Sequence, residues 1–146
     1  MQTELGNGYI ISDDKTLLQL QVIHDYLSHQ SYWAKGIPMD VVQKSIEGSY
    51  CVGVYLGEEQ VGFARLITDF ATFGYLADVF VLEPHRGKGL SKDIMKFLMG
   101  QEWVQGLRNT MLGTQDAHGL YQQFGFTLLT DPKRYMYIFK PNIYKD

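Results

Sequence analysis

A chain of 146 residues with 45% hydrophobic and 20% charged side chains has the balance of an ordinary globular protein, and its length suits one domain spanning 1–146. Thirteen basic against sixteen acidic side chains leave a formal charge of −3, which argues against a protein that coats nucleic acid, since neutralising phosphates needs a basic face. No leader or long apolar stretch is visible and the single cysteine, Cys51, has no internal partner, so a cytoplasmic protein without a membrane partner is expected.

In chain order, residues 9–11 form a short apolar strand. Ser12 is expected to cap a first helix whose apolar side carries Leu17, Leu18, Leu20, Val22, Ile23 and Leu27. The stretch 31–38, Ser-Tyr-Trp-Ala-Lys-Gly-Ile-Pro, breaks the pattern, and Pro38 opens a second helix that runs through Glu47 and ends at Gly48. Residues 50–56 and 60–68 flank a Gly57-Glu58-Glu59 turn as a hairpin. Residues 73–82 are almost wholly apolar, as in a strand covered on both faces, with Asp78 the interruption between Tyr75 and Leu82. A glycine-containing turn follows, then a helix over 89–99 with Leu90, Ile94, Phe97 and Leu98 on one face. A strand over 109–113, a helix over 116–124 and strands over 126–129 and 135–139 complete the order β-α-α-β-β-β-α-β-α-β-β. That order implies an α/β protein built on a mixed sheet with helices on both faces.

The stretch that points to chemistry is Val79-Phe80-Val81-Leu82-Glu83-Pro84-His85-Arg86-Gly87-Lys88-Gly89-Leu90-Ser91. A buried strand runs into a basic, glycine-rich turn that opens an amphipathic helix, so successive backbone N–H groups can point at an anion near the positive helix end. The spacing is not that of a Walker A loop, and Lys92 stands where a Rossmann turn needs its third glycine.

Arg86-Gly87-Lys88-Gly89-Leu90-Ser91 resembles the (Gln/Arg)-x-x-Gly-x-(Gly/Ala) motif of the GCN5-related N-acetyltransferases (GNAT), with Ser91 in the last small position. Downstream, Ala117-His118-Gly119-Leu120-Tyr121-Gln122-Gln123-Phe124-Gly125-Phe126 is similar to that family's Ala-x-x-Leu-Tyr-x-x-x-Gly-Phe segment, and Thr114 stands where the family often has Asn. The resemblance implies a six- to seven-stranded acyl-CoA N-acyltransferase fold and an acetyl-CoA-dependent enzyme, and it is compatible with a homodimer. It implies that the backbone around Phe80, Val81 and Arg86 through Ser91 holds coenzyme A, with Thr114 near the pantetheine arm.

Transfer of an acyl group from a thioester to an amine needs a neutral amine, a stabilised oxyanion and a proton for the leaving thiolate. The resemblance assigns the last task to Tyr121, whose phenol, with a pKa of about 10, suits it. A carboxylate inside an apolar strand asks for a reason, which makes Asp78 the leading base candidate beside a structural hydrogen-bonding role; Tyr75, His118 and a water chain are alternatives. Tyr32 and Trp33 lie where the resemblance places acceptor contacts. Asp69, Asp78 and these aromatics favour a cationic small molecule as the amine, with an exposed protein amine as the other acceptor class. No metal is expected, since His24 and His29 lack further ligands in a matching pattern. The competing reading is a non-catalytic acyl-CoA-binding or regulatory module.

Overall fold

The computed structural model describes residues 1–145. Its strands are β1 (Gln2–Gly6), β2 (Tyr9–Ser12), β3 (Tyr50–Leu56), β4 (Glu59–Thr68), β5 (Phe73–Val81) and β6 (Asn109–Leu112). They lie in one sheet in chain order; every neighbouring pair is antiparallel except β5 and β6, which run parallel. The helices are α1 (Leu20–Asp25), α2 (Met39–Glu47), α3 (Leu90–Met99), α4 (Glu102–Gln105) and α5 (His118–Gln122). The mixed six-stranded sheet with helices is the architecture expected from the sequence.

Alternation along the strands creates two cores. Val52, Ala64 and Val81 join Leu90, Ile94, Met95 and Leu98 of α3 in one. Their sequence neighbours Cys51, Phe63 and Phe80 join Ile23, Val42 and Ile46 of α1 and α2 in the other. A period of two in the strands thus sends successive side chains to opposite helical layers.

Several local expectations differ from the structure. The N-terminus forms an additional strand, β1, joined to β2 through Gly6-Asn7-Gly8, all at positive φ. Asn-Gly is a strong hairpin signal, and the polar, exposed Gln2–Gly6 masked it by lacking apolar alternation. Ser12 does not cap the first helix. It is buried and its hydroxyl accepts from the Asp14 N–H, while Asp14 caps a 3-10 turn at Lys15–Leu17; α1 begins only at Leu20 and passes into a π-helical turn at Tyr26–Gln30. Finally, residues 126–129 and 135–139 form no strand. Among the described residues the chain after α5 joins no ladder, and β6 is paired with β5 alone.

Candidate active site

Strand β5 gains one residue relative to β4: Arg65 faces Ala77 and Phe63 faces Phe80. The extra residue bulges at Asp78, whose φ of 56° lies in the left-handed region that Asp tolerates better than most side chains. Pairing of β5 with β6 stops at Leu76 and Leu112, and the strands part beyond it. A cleft of about 440 Å³ fills this fork, lined among others by Tyr32, Trp33, Asp78, Thr114, Asp116 and Tyr121.

The π-helical turn and the loop after it supply the aromatic wall. Tyr26 stacks on Phe80, with ring centroids 4.1 Å apart, and Tyr32 and Trp33 meet edge to face at 5.0 Å. The Gln115 N–H donates to the Tyr32 hydroxyl at 3.2 Å, tying the wall to the loop after β6. Trp33 Nε1 donates to Asp78 Oδ1 at 2.7 Å, and Arg65 Nε donates to Asp78 Oδ2 at 2.6 Å. Arg65 also donates to the Ser49 hydroxyl at 2.9 Å. Both oxygens of the carboxylate are therefore engaged.

Tyr121, half-buried on α5, lines the cleft, and its hydroxyl has no hydrogen-bond partner among the described residues. Burial, followed by the nearby Tyr32 and Asp116, pushes its pKa above the ordinary phenol value, so it stays a proton donor. The Thr114 hydroxyl accepts from the Ala117 N–H at 3.0 Å and so fixes the approach to α5.

Just past the C-terminal end of β5, a 3-10 turn at Glu83–His85 leads into the glycine turn. Gly87 and Gly89 have φ of 79° and 78°, and a Cβ on either would meet open space, so it is the backbone conformation that calls for glycine. Gly89 precedes α3 without a side-chain cap, and the backbone N–H groups of residues 87–92 find no acceptor among the described residues. A run of free donors at a helix start fits a pyrophosphate. The guanidinium of Arg86 turns back instead, donating through Nε to the Val81 carbonyl at 2.9 Å and through Nη2 to the Tyr26 hydroxyl at 3.1 Å. Lys88 lies on the turn itself and Ser91 in the first turn of α3, while Phe80, Val81 and Leu90 bury their side chains in the cores. Only the backbone of those three could face a ligand.

Three positions fall elsewhere. Asp69 lies outside the cleft and organises the β4–β5 turn, accepting from the N–H groups of Ala71, Thr72 and Phe73. His24 and His29 bond to the Ile37 and Asp25 carbonyls, and among the described residues no group of three His, Cys, Asp or Glu side chains is placed to hold a metal. Conversely, sequence reading passed over Arg65, Tyr26, Gln115 and Asp116. Arg65 carried a signal: it is a lone cation in an apolar hairpin strand, beside a strand with a lone internal carboxylate.

Comparison with known proteins agrees with this architecture. Residues 47–128 match the family model described as the acetyltransferase (GNAT) domain. A protein of Gibberella zeae, whose name assigns it to the acetyltransferases, is 35% identical over 135 residues, covering 77% of this chain and 75% of its own. The crystal structure of a protein from Xanthomonas campestris pv. campestris, assigned to the GNAT family, superposes with a TM-score of 0.92 at 46% identity, covering 94% of this chain and 97% of that one. Streptothricin acetyltransferase of Escherichia coli is 30% identical over 90 residues, covering 58% of this chain and 51% of its own. The chain belongs to the GNAT acetyltransferases. It is an acyltransferase, of a family that uses acetyl-CoA as co-substrate.

Proposed function

We propose that this protein transfers the acetyl group of acetyl-CoA directly to a primary amine, in a ternary complex, and that its acceptor is a small cationic molecule. The observation that carries this is the forked cleft: an unpartnered, protonated phenol at Tyr121 stands beside an aromatic wall, and a run of free N–H donors lies at the head of α3. Acetyl-CoA supplies an activated thioester. Gly87, Lys88, Gly89, Leu90 and Ser91 would hold its pyrophosphate through their N–H groups, with Lys88 adding charge. The β6-facing side of β5 beyond Leu76 has no strand partner among the described residues, so the backbone near Phe80 and Val81, apart from the Val81 carbonyl that Arg86 Nε occupies, is open to the acyl and pantetheine portions. Thr114 frames the opposite side.

The amine lone pair attacks the thioester carbon, the carbon–sulfur bond breaks, and Tyr121 gives its proton to the departing thiolate. The amine proton leaves through water in the cleft. Asp78, sharing its two oxygens between Arg65 and Trp33, acts as a positioning residue for the aromatic wall. Asp116 lines the cleft and makes no ion pair among the described residues, so it is the carboxylate available to a cationic acceptor. The acceptor named for the E. coli relative, streptothricin, supports a small-molecule substrate class. Among the described residues no helix is long and apolar enough to cross a membrane, and with the lone Cys51 buried we place the enzyme in the cytoplasm.

Release of free coenzyme A thiol, measured with acetyl-CoA across a panel of primary amines, tests the proposal. Turnover with small polyamines or amino sugars is expected. Tight acetyl-CoA binding without turnover on any small amine or amine-bearing peptide would overturn it, and turnover confined to peptides would overturn the acceptor class alone.

A further inference from the structure

The face of the sheet that α1 and α2 cover is sealed at one end and open at the other. Phe63 and Phe80, register partners on that face, are buried beneath the two helices. Alternation along β4 places Arg65 and then Ile67 on the same face. Ile67 pairs with Tyr75 of β5, and Tyr75 with Met111 of β6, so three apolar side chains stand side by side across three strands. Phe73, two residues before Tyr75, extends the row to the strand end. Ile67, Phe73 and Tyr75 are 40%, 38% and 37% exposed, and Met111 is half-buried. At a strand spacing of about 4.8 Å the row spans roughly 10 Å.

This strip is held still and carries no charge of its own. Asp69 accepts from the N–H groups of Ala71, Thr72 and Phe73, and the Thr68 hydroxyl donates to the Phe73 carbonyl at 2.6 Å, so the turn joining β4 to β5 is fixed. Arg65, next along the face, is occupied by Asp78 and the Ser49 hydroxyl. An exposed apolar surface that is already rigid loses little entropy when a ligand settles on it.

Its place in the molecule says what that ligand is. Tyr75 belongs both to the strip and to the forked cleft, and its hydroxyl lies 3.3 Å from where a Gly113 Cβ would be, in the loop after β6. The strip therefore continues the cleft in which Asp116 and Tyr121 stand. We propose that Ile67, Phe73 and Tyr75 form a specificity surface for the acceptor: its amine is carried on an apolar, ring-sized body that lies on the strip while the amino group reaches Asp116 and Tyr121. This rests on the cationic acceptor proposed above and narrows it. A second charge or a row of hydroxyls laid on the strip would lose water without gaining a partner, so polyamines and amino sugars would react from weaker complexes.

Calorimetric titration of the full chain, in excess coenzyme A, with 4-phenylbutylamine and with butylamine isolates the ring, since the two share one amine and one tether. The ring should tighten binding about tenfold. Ile67→Thr combined with Phe73→Thr keeps strand-forming residues at two exposed positions outside the cleft. It should cut that advantage to about threefold or less, with butylamine binding and circular dichroism unchanged. Ile67→Glu should turn the preference round, weakening 4-phenylbutylamine and strengthening 1,5-diaminopentane. Equal affinity for the two monoamines, no binding of either, an advantage that survives the double threonine change, or a wild-type preference in Ile67→Glu would each overturn the inference. So would ring binding that weakens as protein concentration rises, since a second copy would then cover the strip. Coenzyme A release with the same amines keeps the two readings apart. A ring advantage in binding without turnover overturns acetyl transfer alone, whereas turnover of both monoamines at equal KM overturns the specificity surface alone.

Discussion

Arg65 Nε and Asp78 Oδ2 form an ion pair at 2.6 Å between neighbouring strands, with side chains only 15% and 8% exposed. Asp78 bulges out of β5, and Arg65, one step along in the register of β4, captures it from the side while Trp33 captures its second oxygen. The pair joins the sheet to the aromatic wall of the cleft.

Asp78→Asn therefore tests position against chemistry. Removing one charge from a buried pair leaves Arg65 uncompensated, at a cost of about 3 kcal/mol, or roughly 10 °C in Tm for a chain of this size. With Trp33 less firmly held, KM for the amine should rise, while the pH dependence of kcat keeps its shape. A kcat/KM that collapses at neutral pH and recovers at high pH would instead make Asp78 the base.

Replacing Gly87 or Gly89 by Val forces a β-branched residue toward φ near +79°, which it does not adopt, so the turn must rearrange. Coenzyme A at saturating concentration should raise the Tm of the wild type by mass action, since ligand at a hundred times Kd contributes about 2.7 kcal/mol. The shift should vanish in either variant while circular dichroism stays native. An undiminished shift would remove the pyrophosphate from this turn.

The elements nearest the cleft were the most legible in the sequence. The apolar run of β5, broken only at Asp78, and the amphipathic α3 are each covered by a well-filled layer, and the glycine turn between them is marked by its residue types. The polar strand Gln2–Gly6 had no alternation to read, and residues 135–139 had a strand's composition without a strand's pairing in the chain that carries them. At the site, Tyr121 and the turn residues stood out by local motif. The Arg65–Asp78–Trp33 network did not, since it links residues up to 45 positions apart through a bulge that no local pattern announces.

Cys51 makes stability depend on pH. Burial pushes its thiol from 9.0 to about 11, against a smaller opposing pull from Lys15 and Arg65. The folded state holds the proton over a range where the unfolded chain has lost it. The thiol's contribution to stability is thus constant below pH 9 and declines as pH rises from there toward 11. Urea unfolding at pH 8 and pH 10 should show a loss in the wild type that is about 1 kcal/mol larger than in Cys51→Ala, because burial holds the Tyr50 and Tyr55 phenols above this range in both folded proteins. Equal losses would mean that the thiol ionises in the folded protein as it does unfolded.

Tyr121→Phe addresses the proton delivered to the leaving thiolate. The hydroxyl bonds to nothing else among the described residues, and the ring, which packs edge to face on Phe126 at 6.1 Å, is retained. Folding and the coenzyme A-induced Tm shift should therefore be unchanged. Loss of a positioned acid should lower kcat by about 10- to 100-fold, with KM for acetyl-CoA unaltered, since the hydroxyl acts as the thiolate departs rather than in ground-state binding. Because burial and the neighbouring Tyr32 and Asp116 hold this phenol above its ordinary pKa, wild-type kcat should not fall through Tyr121 ionisation until the pH exceeds 10. Any alkaline decline seen there should be absent from the Phe variant, whose slower reaction draws its proton from water. Wild-type turnover in Tyr121→Phe would assign that proton to solvent and leave Tyr121 as a wall of the cleft.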